Sequence, residues 1–185
     1  PGTVGTEQIK ADGLNVIILR SDNKIVRIGC DTEVVTELNS IPAGYLGVDS
    51  ASRRLYVGGG ANGEVLSAYN LDTLAFIDSI TFPIGIIDVD AYSTGCIVAL
   101  GFNINTFDPE VYNAPKPGGG CTTVSGKPEI ITPLTLVDPT GLSVKRSTGN
   151  IFISDAAQGC VVDVAMNSCL GGPAALGGTP NGVVA

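Results

Sequence analysis

The sequence predicts an all-β fold assembled from about four repeated units of four antiparallel strands. Short runs rich in Val and Ile, bounded by turn formers, recur along the chain. Nowhere do apolar residues hold a 3.6 spacing over an extended window, so almost no helix is expected. Gly is abundant, with 25 residues against 11 Pro and no Gly-X-Y period, the usage of many turns between short strands. Finally, Pro-x-Gly recurs at Pro42-Ala43-Gly44, Pro83-Ile84-Gly85, Pro139-Thr140-Gly141 and Pro180-Asn181-Gly182, spaced 41, 56 and 41 residues apart.

Taken in order, residues 1–13 show no clear period and read as an N-terminal arm. Residues 14–41 give three strands, LNVIILRSD, KIVRIGCD and EVVTELNSI, matching the second, third and fourth strands of later units. Residues 42–82 form the one complete, uninterrupted unit, with strands at 45–49, 54–58, 64–71 and 75–82. Short turns separate them, as antiparallel neighbours allow. Residues 83–138 repeat that opening, then depart from it at 103–127. There Pro109, Pro115, Pro117 and Gly118-Gly119-Gly120 argue against a regular strand and for a long surface loop. Residues 139–179 are the last full unit. Beyond Pro180 the sequence gives only Val183, Val184 and Ala185, a single inner strand.

A period in the forties with four strands per unit is the mark of propeller blades. The expected fold is therefore a β-propeller occupying residues 14–185. Its first blade would combine residues 14–41 with 182–185, so that Val183, Val184 and Ala185 close the ring and leave no open edge. At each Pro-x-Gly, Pro limits the linker's freedom, while Gly permits a positive φ and close backbone approach.

Arg54-Leu55-Tyr56-Val57, then Val65, Ala68 and Asn70-Leu71-Asp72-Thr73, resemble the YVTN/NHL-like class of β-propeller repeats. The resemblance is clear in one blade and extends to the others by shared spacing. It implies a propeller fold; members of that broad class include extracellular binding and surface proteins as well as lactonase- and lyase-like enzymes. Most have six to eight blades, whereas the spacing here counts four.

Composition narrows the functions. A net charge of −8 with ten scattered basic residues disfavours nucleic acid. No apolar run is long enough for a membrane helix, so no membrane insertion is expected. Five cysteines lack the Cys-x-x-Cys spacing of zinc and redox sites. Cys160 and Cys169, nine positions apart, and Cys96 and Cys121 of the third repeat are read as forming two disulfides, in a pairing the sequence leaves open, in a secreted or extracellular protein. Cys30 is expected to be a buried free thiol.

The chain contains no His, so the usual general base near neutral pH is missing and catalysis is not the expectation. Carboxylates are the remaining reactive groups. Asp88 and Asp90 alternate on one strand and share a face, and Asp49 lies near the corresponding end of the preceding blade. These three could hold calcium at the channel mouth, and no other cofactor is expected. The structural reading is turn chemistry, because acids that close a strand bond local backbone. The expected function is a secreted or cell-surface binding module. Its loop at 103–127, with Phe107, Tyr112, Lys116, Thr122 and Thr123, would contact a protein or carbohydrate ligand. Two alternatives are a filament subunit that exchanges its C-terminal strand with copies of itself and a lactonase-like hydrolase with a carboxylate–metal channel.

Overall fold

A computed structural model of the chain describes residues 6–38, 43–92, 95–119, 121, 127–131 and 135–170. Its described residues are strands and turns, with no helix. Each of four sheets is made from consecutive strands joined by antiparallel hairpins. Sheet 1 holds β1 (Thr6–Ala11), β2 (Asn15–Arg20), β3 (Ile25–Gly29) and β4 (Val35–Leu38). Sheet 2 holds β5 (Ala43–Asp49), β6 (Arg54–Gly59), β7 (Val65–Asn70) and β8 (Phe76–Thr81). β9 (Ile84–Ala91), β10 (Cys96–Asn103), β11 (Pro109–Pro115) and β12 (Glu129–Ile130) form sheet 3. β13 (Pro139–Lys145), β14 (Asn150–Asp155), β15 (Cys160–Asp163) and β16 (Ser168–Leu170) form sheet 4.

Because alternate residues of a strand face opposite ways, a sheet lying between two others must be apolar on both faces. Sheet 2 shows this. Leu46, Leu55 and Val57 pack back against Ile17, Leu19 and Ile25 of sheet 1. Tyr45, Tyr56 and Leu66 pack forward against Ile86, Val89 and Ile97 of sheet 3. A third cluster joins Val98, Leu100 and Val111 of sheet 3 to Leu142, Ile151 and Ile153 of sheet 4. The first strands β1, β5, β9 and β13 follow one another in space, each against the next.

The structure corrects the sequence reading in several places. The N-terminal arm is not a tail. Thr6–Ala11 pairs with β2, from Thr6 opposite Arg20 to Ala11 opposite Val16. It holds the inner position expected for Val183, Val184 and Ala185, which lie outside the described residues. Likewise, residues 103–127 are not one long loop, since Pro109–Pro115 pairs along β10 from Phe102 opposite Pro109 to Cys96 opposite Pro115. Its prolines sit at the strand's two ends, where a missing N–H costs least. Among the described residues, the Pro-x-Gly glycines Gly44, Gly85 and Gly141 do not take positive φ. Close approach does hold at Gly85, where an added Cβ would stand 2.6 Å from the Asn62 carbonyl oxygen.

Two disulfides form, as expected, and the structure supplies their pairing, Cys96–Cys121 and Cys160–Cys169. Cys30, expected to be buried, is an exposed free thiol because it follows β3 in a surface turn.

Candidate functional site: the central cavity and its mouth

The four first strands surround one cavity of about 590 Å3, lined by residues 8–11 of β1, Tyr45 and Val48 of β5, residues 87–90 of β9 and residues 140–143 of β13. Each of these strands has one edge paired with its own sheet and one turned toward the cavity. On β5, β9 and β13, side chains from the preceding first strand bond backbone groups of that open edge. The Gln8 amide oxygen accepts from the Leu46 N–H at 2.7 Å, and its nitrogen donates to the Gly44 carbonyl at 3.3 Å. The Tyr45 hydroxyl donates to the Val89 carbonyl at 2.8 Å. Asp88 accepts from the Leu142 N–H at 2.6 Å and Asp90 from the Val144 N–H at 2.8 Å.

Strand register shows that this is one device used three times. Gln8, Tyr45 and Asp88 stand opposite Leu19, Gly58 and Leu100, each the fifth residue of its sheet's second strand. The receiving residues Leu46, Val89 and Leu142 stand opposite Val57, Ala99 and Ile153, each the fourth. Burial pushes the Asp88 carboxyl above the usual carboxylate range, against the lowering pull of Tyr45 and the Leu142 N–H. The Tyr45 hydroxyl is pushed well up by burial and by the negative charge of Asp88.

At the mouth, where β5 ends, Asp49 is 1 % exposed and meets two cations. The Lys116 ammonium, on a residue only 6 % exposed, lies 2.6 Å from one Asp49 oxygen, and the Arg146 guanidinium lies 3.1 Å from the other. The Ser52 hydroxyl also bonds to Asp49. Burial acts to raise the Asp49 pKa, but Lys116, Ser52 and Arg146 together outweigh it and hold the carboxyl below its usual range. Arg146 also approaches Asp90 at 3.8 Å, so one guanidinium stands between two of the three acids considered for calcium. The structure thus brings Asp49 and Asp90 together around the chain's own cations and turns Asp88 to backbone. Among the described residues no group of three His, Cys, Asp or Glu is placed to hold a metal ion.

Lys116 and Tyr112, expected on a surface loop, are instead buried, Tyr112 on β11 and Lys116 just after it. The segment after β11 lies across sheet 2, where Arg54 donates to the Gly118 carbonyl at 3.0 Å and the Gly118 N–H donates to Asp78 at 3.0 Å. Tyr112 is buried edge-on to Phe82, and burial with Glu110 beside it pushes its hydroxyl up to about 12. Thr122 and Thr123 lie outside the described residues.

Phe107 does face solvent. It is 76 % exposed, with φ 62°, in the turn between β10 and β11. The Asn103 side chain pins that turn by accepting from the Asn105 and Thr106 N–H groups. Beside it opens a groove of about 310 Å3 lined by Asn62, Ile86, Ile87, Phe102, Ile104 and Phe107 among others. No sequence signal marks this groove, since its residues come from separate hairpins.

No family model matches the chain, and no curated protein matches it. Solved structures do match in shape. The β-propeller domain of Myceliophteria thermophila Cps50 (Swd1) is similar at TM-score 0.58 and 13 % identity, over 89 % of this chain and 56 % of that one. A chain in the Saccharomyces cerevisiae complex of Dbp5 with Nup159, Gle1, IP6 and ADP matches at 0.55 and 14 %, over 85 % and 48 %. One in the mitotic checkpoint complex matches at 0.58 and 8 %, over 82 % and 46 %. The chain spans about half the length of the solved chains it matches. Four antiparallel sheets around a shared cavity, together with these likenesses, give a β-propeller fold; the likenesses do not extend to the narrower YVTN/NHL-like class.

Proposed function

We propose that the chain is a secreted or cell-surface binding module without catalytic activity, which docks a protein ligand through Phe107 and the adjoining groove. The observation that carries this reading is Phe107 itself, an exposed aromatic held at positive φ on a pinned turn next to an apolar recess. The same kind of turn closes on Leu74 at positive φ, but Leu74 is buried, so exposure is what sets Phe107 apart. Rigid aromatic anchors beside a pocket dominate binding energy at protein interfaces. Two of the similar structures named above are multi-protein complexes, which favours protein over carbohydrate as the ligand class. The two disulfides fit an oxidising compartment. The carboxylates that a lactonase-like reaction would need are engaged with Lys116, Arg146 and backbone N–H groups.

Peptides selected from a displayed library against the folded protein provide the test. Phe107→Ala should weaken their binding by about tenfold or more while leaving Tm unchanged. Selected peptides that bind wild type and variant alike would defeat the reading. So would hydrolysis of an ester or lactone that depends on calcium and is lost in Asp88→Asn.

A further inference from the structure

The two ends of β9 sit in opposite electrostatic surroundings. Its C-terminal end is the mouth, where Arg146 meets Asp49 and Asp90 and Lys116 meets Asp49. Arg54 stands opposite Asp49 with Arg53 just before it, and Lys145 ends β13 ahead of Arg146. Lys127 enters β12 from the same side, since Glu129 pairs with Asn113 and Ile130 with Tyr112. The N-terminal end of β9, Gly85 to Ile87, is a wall of the groove beside Phe107. No Lys or Arg occurs between Arg54 and Lys116, the stretch that supplies the residues lining that groove. The other cations, Lys10, Arg20, Lys24 and Arg27, belong to sheet 1, where Arg20 and Lys24 engage Asp22 and Glu37.

Acids, by contrast, rim the groove. The Glu64 carboxylate accepts from the N–H of Asn62, a lining residue, at 2.8 Å. Glu110 accepts from the side-chain amide of Asn103, another lining residue, at 3.0 Å. Asp108 follows Phe107 in the chain and is exposed. Among the described residues none of these three meets a cation, so their charge is not offset as that of Asp49 is. The groove itself, of about 310 Å3, has Ile86, Ile87, Phe102 and Ile104 in its walls. That is the small end of ligand pockets, a size for the side chains of a docked segment. An apolar recess with unbalanced negative charge at its rim speeds encounter with cationic partners and turns acidic ones away.

We propose that the Phe107 groove takes a cationic segment of a protein partner, with an aliphatic or aromatic side chain in the recess and Lys or Arg on either side set against Glu64, Asp108 and Glu110. The proposal rests on the binding reading above and names the class of its ligand.

The test uses peptides from an unbiased displayed library selected on the full chain. Those that depend on Phe107 should carry Lys or Arg next to their apolar anchor. Glu64→Gln and Asp108→Asn keep the shape of each side chain and should each weaken those peptides by about threefold, with Tm unchanged. Raising salt from about 0.05 M to about 0.5 M should weaken binding to the wild type and affect the double variant much less. Asp31→Asn removes an equal charge from the β3–β4 turn of sheet 1 and should leave binding as it was, which separates a local contact from the net charge of −8. If the peptides need Phe107 yet are neutral or acidic, or bind both carboxylate variants as tightly as wild type, this inference fails and the binding reading stands. If basic peptides bind without needing Phe107, or no Phe107-dependent peptide is recovered, both fail.

Discussion

Asp49 and Asp88 are acids on neighbouring first strands, the one buried and the other half-buried in the cavity wall, and they are held in opposite ways. Asp49, at the mouth, is surrounded by cations and is kept ionised. Asp88, in the cavity wall, is bonded to a neutral N–H and next to a phenol, and burial makes its charge costly. The lesson is that a buried carboxylate contributes through its charge only where a counter-charge is buried with it. Elsewhere its lone pairs are what the fold uses.

The largest break should come from Asp49→Asn. It leaves the Lys116 ammonium buried beside a neutral amide, and stability should fall by about 3–5 kcal/mol in urea titration. Asp88→Asn should cost far less, within about 1 kcal/mol, because an amide oxygen can still accept from the Leu142 N–H. A comparable loss for the two variants would erase the contrast.

Next in size is removal of the disulfide that ties the Lys116 segment back to β10. Cys96→Ser with Cys121→Ser should cost about 2–4 kcal/mol. The same double change in an Asp49→Asn background should cost less, since the clamp it supports is already gone; a calorimetric cycle of the four proteins measures this.

The pH profile sharpens the comparison further. Asp49 has a folded pKa below its ordinary value. Its contribution is fully present above the unfolded pKa near about 4 and is lost as pH falls through the depressed folded value. Asp88 has a folded pKa above its ordinary value. It penalises the folded state at neutral pH, and that penalty is relieved as pH falls through the raised value toward about 4. Asp49→Asn should flatten the acid limb of stability against pH, and Asp88→Asn should flatten the slope on the neutral side. The reverse assignment would refute the electrostatic account.

Gln8→Ala should have the smallest effect, about 1 kcal/mol, because it removes one neutral bridge between sheets 1 and 2 and leaves the Leu46 N–H facing the cavity. Thermal unfolding is sensitive enough to read it.

Much of this architecture is legible in the sequence, for reasons local to each repeat. The strands of sheet 2 come within two residues of their expected positions, because Asp72-Thr73 and similar pairs mark turns by bonding nearby backbone; Asn70 accepts from both N–H groups there. β1 was hidden because its cavity-facing positions, Gln8 and Lys10, are polar, and only Ile9 and Ala11 betray the alternation. β11 was hidden by its terminal prolines. The mouth cluster was half visible: Asp49 was expected to bond its own turn, and it does bond Ser52. Lys116 and Arg146 reach Asp49 across 67 and 97 residues of sequence, a juxtaposition that no local pattern encodes.

Each sheet comes from one unbroken stretch of chain and packs mainly on its immediate neighbours. The molecule is therefore closer to a row of coupled units than to a single cooperative core, and its unfolding can proceed from an end inward. The two ends are not equivalent. Among the described residues both covalent cross-links lie in sheets 3 and 4, whereas sheet 1 is held by one apolar cluster, the Gln8 bridges, the Lys10 ammonium over the Tyr45 ring and an Arg53–Asp12 ion pair. Fraying should begin at sheet 1, giving a long-lived species in which three sheets persist and the first is melted. Such a species would expose β5 along its cavity edge and its aliphatic face, the surfaces on which an off-pathway strand could seed aggregation.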